Sequence, residues 1–239
     1  MSRSLVRPLA MAIGMAALAV TAAYADEADR VRKSIVILDE LTNAGDHAIP
    51  KHVLERAEAV VVIPSFMKGG FIFGAEHGKG ILSVRDRASN TWSAPAFVEM
   101  TGGTFGAQIG LESVDLVLLV MNRAAINQML NDTFTLGAGA SVAAGPVGRS
   151  ARAGTDYRLG AQILAYSRAK GLFAGATLDG TALKSDRGAN EDFYGQRMSS
   201  RAIVLEHQAR TSENPALVAQ WRAAIARETG ARPVPTTGY

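Results

Sequence analysis

The chain has 239 residues, 48% hydrophobic and 20% charged, enough to bury a sizeable core and too apolar for disorder throughout. It contains no cysteine, so disulfides hold nothing together, and 25 basic against 22 acidic residues give nucleic-acid binding no support. Arg3 and Arg7 precede an uncharged run from Leu9 to Val20 and then Ala23-Tyr24-Ala25, the three parts of a secretory signal peptide over residues 1–25. That run falls short of the ~20 apolar residues a membrane-spanning helix needs. Cleavage before Asp26 removes two basic residues and no acidic one, so the mature chain is close to neutral. No cysteine follows the cleavage site to carry a lipid. The expected destination is the periplasm or the exterior, with peripheral membrane association.

In the segment 26–52, apolar Ala28, Val31, Ile35, Leu38 and Leu41 recur at steps of three and four, the period of an amphipathic helix. Arg30, Arg32 and Lys33 lie off that stripe. A second helical piece is expected over Pro50–Glu58, with proline at its start. Ala59–Ile63 is β-branched and reads as a buried strand ending at Pro64. Twenty of the 24 glycines lie between Gly69 and Gly195, which marks one structural unit. Within it, short strands are expected near Gly70–Ala75, Gly80–Arg85, Ala96–Met100, Thr104–Gly110, Asp115–Met121, Thr135–Ala143, Gln162–Ser167 and Leu172–Leu178. A helix over Asn122–Leu130 interrupts them. In the C-terminal helix, within 205–231, Leu217, Trp221 and Ile225 are spaced by four behind Ser212 as N-cap. Residues 232–239 form a tail. The fold expected is α+β: a glycine-rich, mostly antiparallel sheet, curved or closed, with flanking N- and C-terminal helices.

The stretch KGGFIFGAEHGKG, Lys68–Gly80, invites a nucleotide-binding reading and fails it. A phosphate loop would need glycine where Phe73 stands and a hydroxyl where Gly80 stands. The dinucleotide fingerprint puts its third glycine on Ser83 or, starting at Gly137, on Val142. The remaining reading is a hairpin turning at Glu76-His77-Gly78. Ser65-Phe66-Met67-Lys68 has the S-x-x-K spacing of penicillin-binding enzymes, but Pro64 and Gly69-Gly70 bracket it and no K-T-G follows. His47, His52, His77 and His207 form no metal-ligand pattern. No catalytic residue, metal or cofactor is expected. One local charge bias stands out. Between Gly145 and Gly171, Arg149, Arg152, Arg158, Arg168 and Lys170 face Asp156 alone, with Tyr157 and Tyr166 interleaved. Arginine's planar fork suits phosphate, and a solvated loop is the competing reading.

SAPAF at Ser93–Phe97, GGTFGAQIG at Gly102–Gly110, SVAAGPVGR at Ser141–Arg149, AYSRAKGLFAG at Ala165–Gly175 and FYG at Phe193–Gly195 together resemble the SYLF domain. The resemblance covers residues 53–204. It implies a non-enzymatic lipid-binding module, since eukaryotic relatives bind phosphoinositides, partly through an amphipathic N-terminal helix, and some regulate actin. Bacterial members are secreted or envelope proteins. With a leader, and without an SH3 or FYVE domain beside it, this chain is expected to meet anionic phospholipid more generally. Arg149, Arg152, Arg168 and Lys170, with Arg30, Arg32 and Lys33, are the candidate head-group contacts. Val31, Ile35, Leu38 and Leu41 are the candidate membrane-facing stripe. The alternative is an envelope structural or interaction protein that binds a protein partner.

Overall fold

Apolar periodicity at the N-terminus becomes a helix, α1, over residues 26–42 of the computed structural model. The structure describes residues 26–70, 73–105, 110–131, 134–147, 160–167, 178–209 and 214–234. Helix α1 buries Ala28, Val31, Ile37, Leu38 and Leu41. Pro50 then precedes a short helix, α2 (Lys51–Arg56), its fixed φ suiting a helix start.

Strand β1 (Ala59–Gly70) does not stop at Pro64 as its sequence suggests. Its register shifts on both sides there, between Ile63 and Phe66 against one neighbour and between Val62 and Met67 against the other. Such a bulge accommodates a residue with no N–H to donate. Ser65 takes a positive φ of 53° within it, and its N–H donates to Asp115 Oδ1 at 2.9 Å. Strand β2 (Phe73–Asp86) likewise runs straight through Glu76-His77-Gly78, where a turn was expected, and pairs with β1 as far as Gly70↔Gly74. Alternating burial explains the difference: Glu76, Gly78 and Gly80 point inward while Ala75, His77 and Lys79 point out. A two-residue β3 (Thr91–Trp92) folds back on β2.

β4 (Ala96–Phe105), β5 (Gly110–Val120), β6 (Phe134–Thr135), β7 (Val142–Ala144), β8 (Ile163–Ser167) and β9 (Ala182–Ser185) complete the sheet. Its order is β6-β9-β4-β2-β1-β5-β8-β7, antiparallel except for β7 and β8, and it curls into a half-barrel. The α+β expectation of a curved, mostly antiparallel sheet therefore holds. Curling brings strands too close for side chains at two interior points. A Cβ on Gly80 would lie 2.1 Å from the Val62 carbonyl oxygen, and one on Gly78 would lie 2.6 Å from Ile63 Cγ2.

Helix α3 (Arg123–Met129) is capped by Asn122, whose side chain accepts from Ala125 N. Helices α4 (Arg187–Tyr194) and α5 (Ser200–Val204) are capped by Asp186 and Ser199 in the same way. The C-terminal helix α6 (Pro215–Thr229) starts at Asn214, which accepts from Leu217 N. That displaces the Ser212 cap expected from sequence, because proline at N1 fixes the start one residue after Asn214. Helix α6 lies over the sheet through Trp221, whose Nε1–H donates to Ser83 Oγ at 2.7 Å. Near its C-terminus Thr229 Oγ1 accepts from Trp92 Nε1 at 2.8 Å. Both tryptophans are thus buried with their one donor satisfied.

Candidate functional site

The N-terminal helix carries three of the basic residues expected at a lipid surface, and they differ in fate. Arg30 is buried, 6% exposed. Its guanidinium sits 3.0 Å from Glu27 Oε1, 3.1 Å from Asp26 Oδ2 and 3.6 Å from Asp186 Oδ2, with Cζ 5.3 Å over the Phe97 ring. Lys79 Nζ approaches the same Asp186 oxygen at 3.4 Å, while Asp186 Oδ1 caps α4. Arg30 is therefore a clamp that fastens α1 to β4 and to the start of α4. Arg32 and Lys33 are exposed, and Lys33 pairs with Asp29 at 2.7 Å. Of the apolar stripe, Val31, Leu38 and Leu41 are buried and Ile35 packs half-buried on the core. In this conformation the stripe faces the protein, so a bilayer reaches it only if α1 undocks.

Burial, more than any neighbour, pushes the Glu27 carboxyl above the ordinary glutamate range; Arg30 opposes the shift and Asp26, Asp186 and Asp192 add to it. A raised value means that the folded protein holds this proton more tightly than the unfolded chain does. The stabilisation is complete below the ordinary glutamate pKa and is lost as pH rises through the raised value. Urea midpoints should therefore increase on acidification from neutrality toward about pH 5, and Glu27→Gln should flatten that rise. Identical pH dependence in the two proteins would rule Glu27 out as its source.

The second region is the glycine-rich end of the sheet. β7 and β8 pair in parallel, Ala144 opposite Ala165, and β8 runs antiparallel to β5 with Ser167 opposite Leu116. Both strands thus point to the end where β1 leads into β2 and β4 into β5. The chain leaves β7 and β8 there just ahead of Arg149 and Arg168. Arg149, Arg152, Arg168 and Lys170 themselves lie outside the described residues, as does most of the strand expected near Leu172–Leu178.

Inside this end sits a charged group that sequence reading missed. Lys68 Nζ lies 2.7 Å from Glu76 Oε1, and Thr181 Oγ1 donates to Glu76 Oε2 at 2.9 Å. The side chains of Lys68 and Glu76 are 12% and 2% exposed. Register makes the pair, since Lys68 stands opposite Glu76 and Glu76 opposite Gly102. Gly102 leaves the room: a Cβ there would come within 3.0 Å of Glu76 Oε2 and 3.1 Å of Thr181 Oγ1. The sequence shows two opposite charges eight residues apart and nothing that pairs them. Ser65, by contrast, is exposed on the bulge, so its S-x-x-K spacing to Lys68 lies on a strand and not on a helix turn. Among the described residues no three of His, Cys, Asp or Glu group to hold a metal ion. No helix among them is long and apolar enough to cross a membrane.

The long sequence motifs meet one another in space. Phe97 of SAPAF packs on Phe193 of FYG with ring centroids 5.0 Å apart, and Tyr194 Oη donates to the Pro95 carbonyl. Gly195 closes α4 in the left-handed conformation at φ 70°, which favours glycine. Gly145 abuts Tyr166, where a Cβ would fall 2.0 Å from the ring, so the SVAAGPVGR and AYSRAKGLFAG motifs also fit together. Curled sheet, terminal helices and interlocking motifs define a SYLF-type domain.

The chain belongs to the Ysc84 family, whose model, described as "Las17-binding protein actin regulator", matches residues 101–226. Protein YSC84 of Saccharomyces cerevisiae is 37% identical over 181 residues, 74% of this chain and 38% of the yeast protein. LAS seventeen-binding protein 3 from the same yeast is 38% identical over 162 residues, 66% of this chain and 35% of that protein. The human SH3 domain-containing YSC84-like protein 1 is 32% identical over 190 residues, 78% of this chain and 55% of that protein. This chain thus spans from about a third to little more than half the length of these relatives. None of the three is named as an enzyme. No solved structure matches.

Proposed function

We propose that this protein is an exported, non-enzymatic module that binds anionic phospholipid peripherally, through the arginine-rich segments at the glycine-rich end of its sheet. One observation carries the reading. Parallel pairing of β7 and β8 means that the chain leaves both strands at the same end of the sheet, just ahead of Arg149 and Arg168. Each basic side chain near an anionic surface contributes ~1 kcal/mol, screened by salt, so four together give several. Arg32 and Lys33 on α1 add a smaller share.

Reversing Arg149, Arg152 and Arg168 to Glu should abolish sedimentation with phosphatidylserine-containing vesicles at low salt and leave the circular dichroism spectrum unchanged. If the triple variant sediments like the parent while Ile35→Asp does not, α1 is the membrane element. If the parent never sediments, the lipid reading falls. The second reading, a protein partner on the same surface, draws on relatives named as LAS seventeen-binding proteins.

A further inference from the structure

At the opposite end of the sheet, three chain junctions bring arginines together. Arg85 and Arg87 close β2, Arg123 opens α3 after β5, and Arg56 closes α2 just before β1. The guanidiniums of Arg85 and Arg123 are held by backbone carbonyls and an amide side chain. Arg85 Nη1 donates to the Glu55 carbonyl at 2.6 Å and its Nε to Asn90 Oδ1 at 2.8 Å, with Cζ 6.0 Å over the Trp92 ring. Arg123 Nη1 donates to the Arg85 carbonyl at 3.1 Å. Arg87 has a close carboxylate, Glu58 Oε1, on which both Nε and Nη2 converge. That carboxylate lies beneath the surface with a side chain 7% exposed, while Arg87 is 69% exposed.

The balance at these junctions is Arg56, Arg85, Arg87, Arg123 and Lys51 against Glu55, Glu58 and Asp86, with Lys51 3.9 Å from Glu55. Nearby Asp86 is committed to its own turn, accepting from Ala88 N and Ser89 Oγ. Crowding is felt inside the cluster: burial first, and then the charge of Arg87, hold Arg85 below the ordinary arginine range. The cluster thus carries excess positive charge on groups already pinned in place, which lowers the ordering cost of binding.

We infer that this arginine cluster, around Arg87 and Arg123, is a docking surface for an extended, carboxylate-rich segment of a partner protein. Guanidinium forks match carboxylates two bonds at a time. Among the described residues the exposed large apolar side chains are Val36 and Met67, and neither belongs to these junctions. A surface without apolar wedges suits an acidic peptide better than insertion into a bilayer interface. The inference does not rest on the lipid reading, which uses the other end of the sheet.

The test is fluorescence anisotropy of a labelled polyglutamate peptide of about ten residues with the full chain. Binding should be seen at low salt and fall steeply as salt rises. Arg87→Gln with Arg123→Gln should weaken it about tenfold, because paired guanidinium–carboxylate contacts are lost. Glu58→Gln should tighten it about threefold by removing the opposing charge, the reverse of what mere structural damage would do. Arg32→Gln with Lys33→Gln, on α1, should leave it unchanged. Should Arg87→Gln fail to fold, Arg123→Gln and Glu58→Gln decide on their own. Absence of binding by the parent, weakening by Glu58→Gln, or equal loss in the α1 variant would each overturn the proposal. So would loss of phosphatidylserine-vesicle sedimentation in the Arg87/Arg123 variant, which would make this end a lipid contact.

Discussion

Lys68→Met should lower the stability of this protein by about 3–5 kcal/mol, the usual cost of stranding one partner of a buried ion pair. Glu76 is 2% exposed at its side chain, and the substitution takes away the cation at its Oε1 while Thr181 still donates to Oε2. Replacing both charges, Lys68→Met with Glu76→Leu, should recover most of the loss, because a well-packed apolar pair is often as stable as the ion pair it replaces. Urea denaturation of the two single variants and the double completes a cycle. A cost below about 1 kcal/mol for Lys68→Met would mean that water reaches Glu76 and that the group is not a buried pair.

Gly80→Ala should be nearly as damaging, at about 3 kcal/mol, the upper end of what overpacking costs. The new methyl would meet the Val62 carbonyl oxygen at 2.1 Å, Ile63 Cδ1 at 2.5 Å and Ile63 Cα at 2.9 Å. Two of those atoms are backbone of the central strand and cannot swing away. Gly78→Ala should cost less, since its closest contacts, Ile63 Cγ2 and Phe66 Cδ2, are side-chain atoms that can shift. Gly188→Ala makes the control of opposite sign. It lies inside α4 with nothing nearer than Asp186 Oδ1 at 3.7 Å, so alanine should add about 0.5–1 kcal/mol through helix propensity. Thermal or urea midpoints in the order Gly188→Ala, parent, Gly78→Ala, Gly80→Ala check the set. A neutral Gly80→Ala would mean that the strands are not pressed together there.

These glycines also show where sequence reading works and where it stops. Glycine recurring inside strand-like segments correctly indicated a tightly curved sheet, because only close backbone approach justifies it. It did not reveal that Ile63 and Phe66 are the side chains filling the space, since that depends on a bulge in another strand. Pro64 signalled a stop by its missing N–H, and the same bulge absorbed it. The turn expected at Glu76-His77-Gly78 was inferred from composition, whereas alternation of burial through Gly80 decided for strand. α1 was legible as a helix from its period, but period alone does not say what covers the stripe. Here Arg30, read from sequence as a head-group contact, is the group that fastens it. The Lys68–Glu76 pair was invisible for a related reason: charges eight residues apart become neighbours only through register.

The position of β1 has a practical consequence for dissecting this protein. It lies at the middle of the sheet, bonded along one side to β2 and along the other to β5. The family match begins at residue 101, inside β4, after both β1 and β2 have passed. A fragment trimmed to that match would expose the β1-facing edge of β5, from Gly110 to Val120, with Leu116, Val117, Leu118 and Leu119 left with partners in β8 alone. A long, bare, apolar edge of this kind invites chain-to-chain pairing, so such a fragment should be recovered as aggregate, and trimming has to start ahead of Ala59.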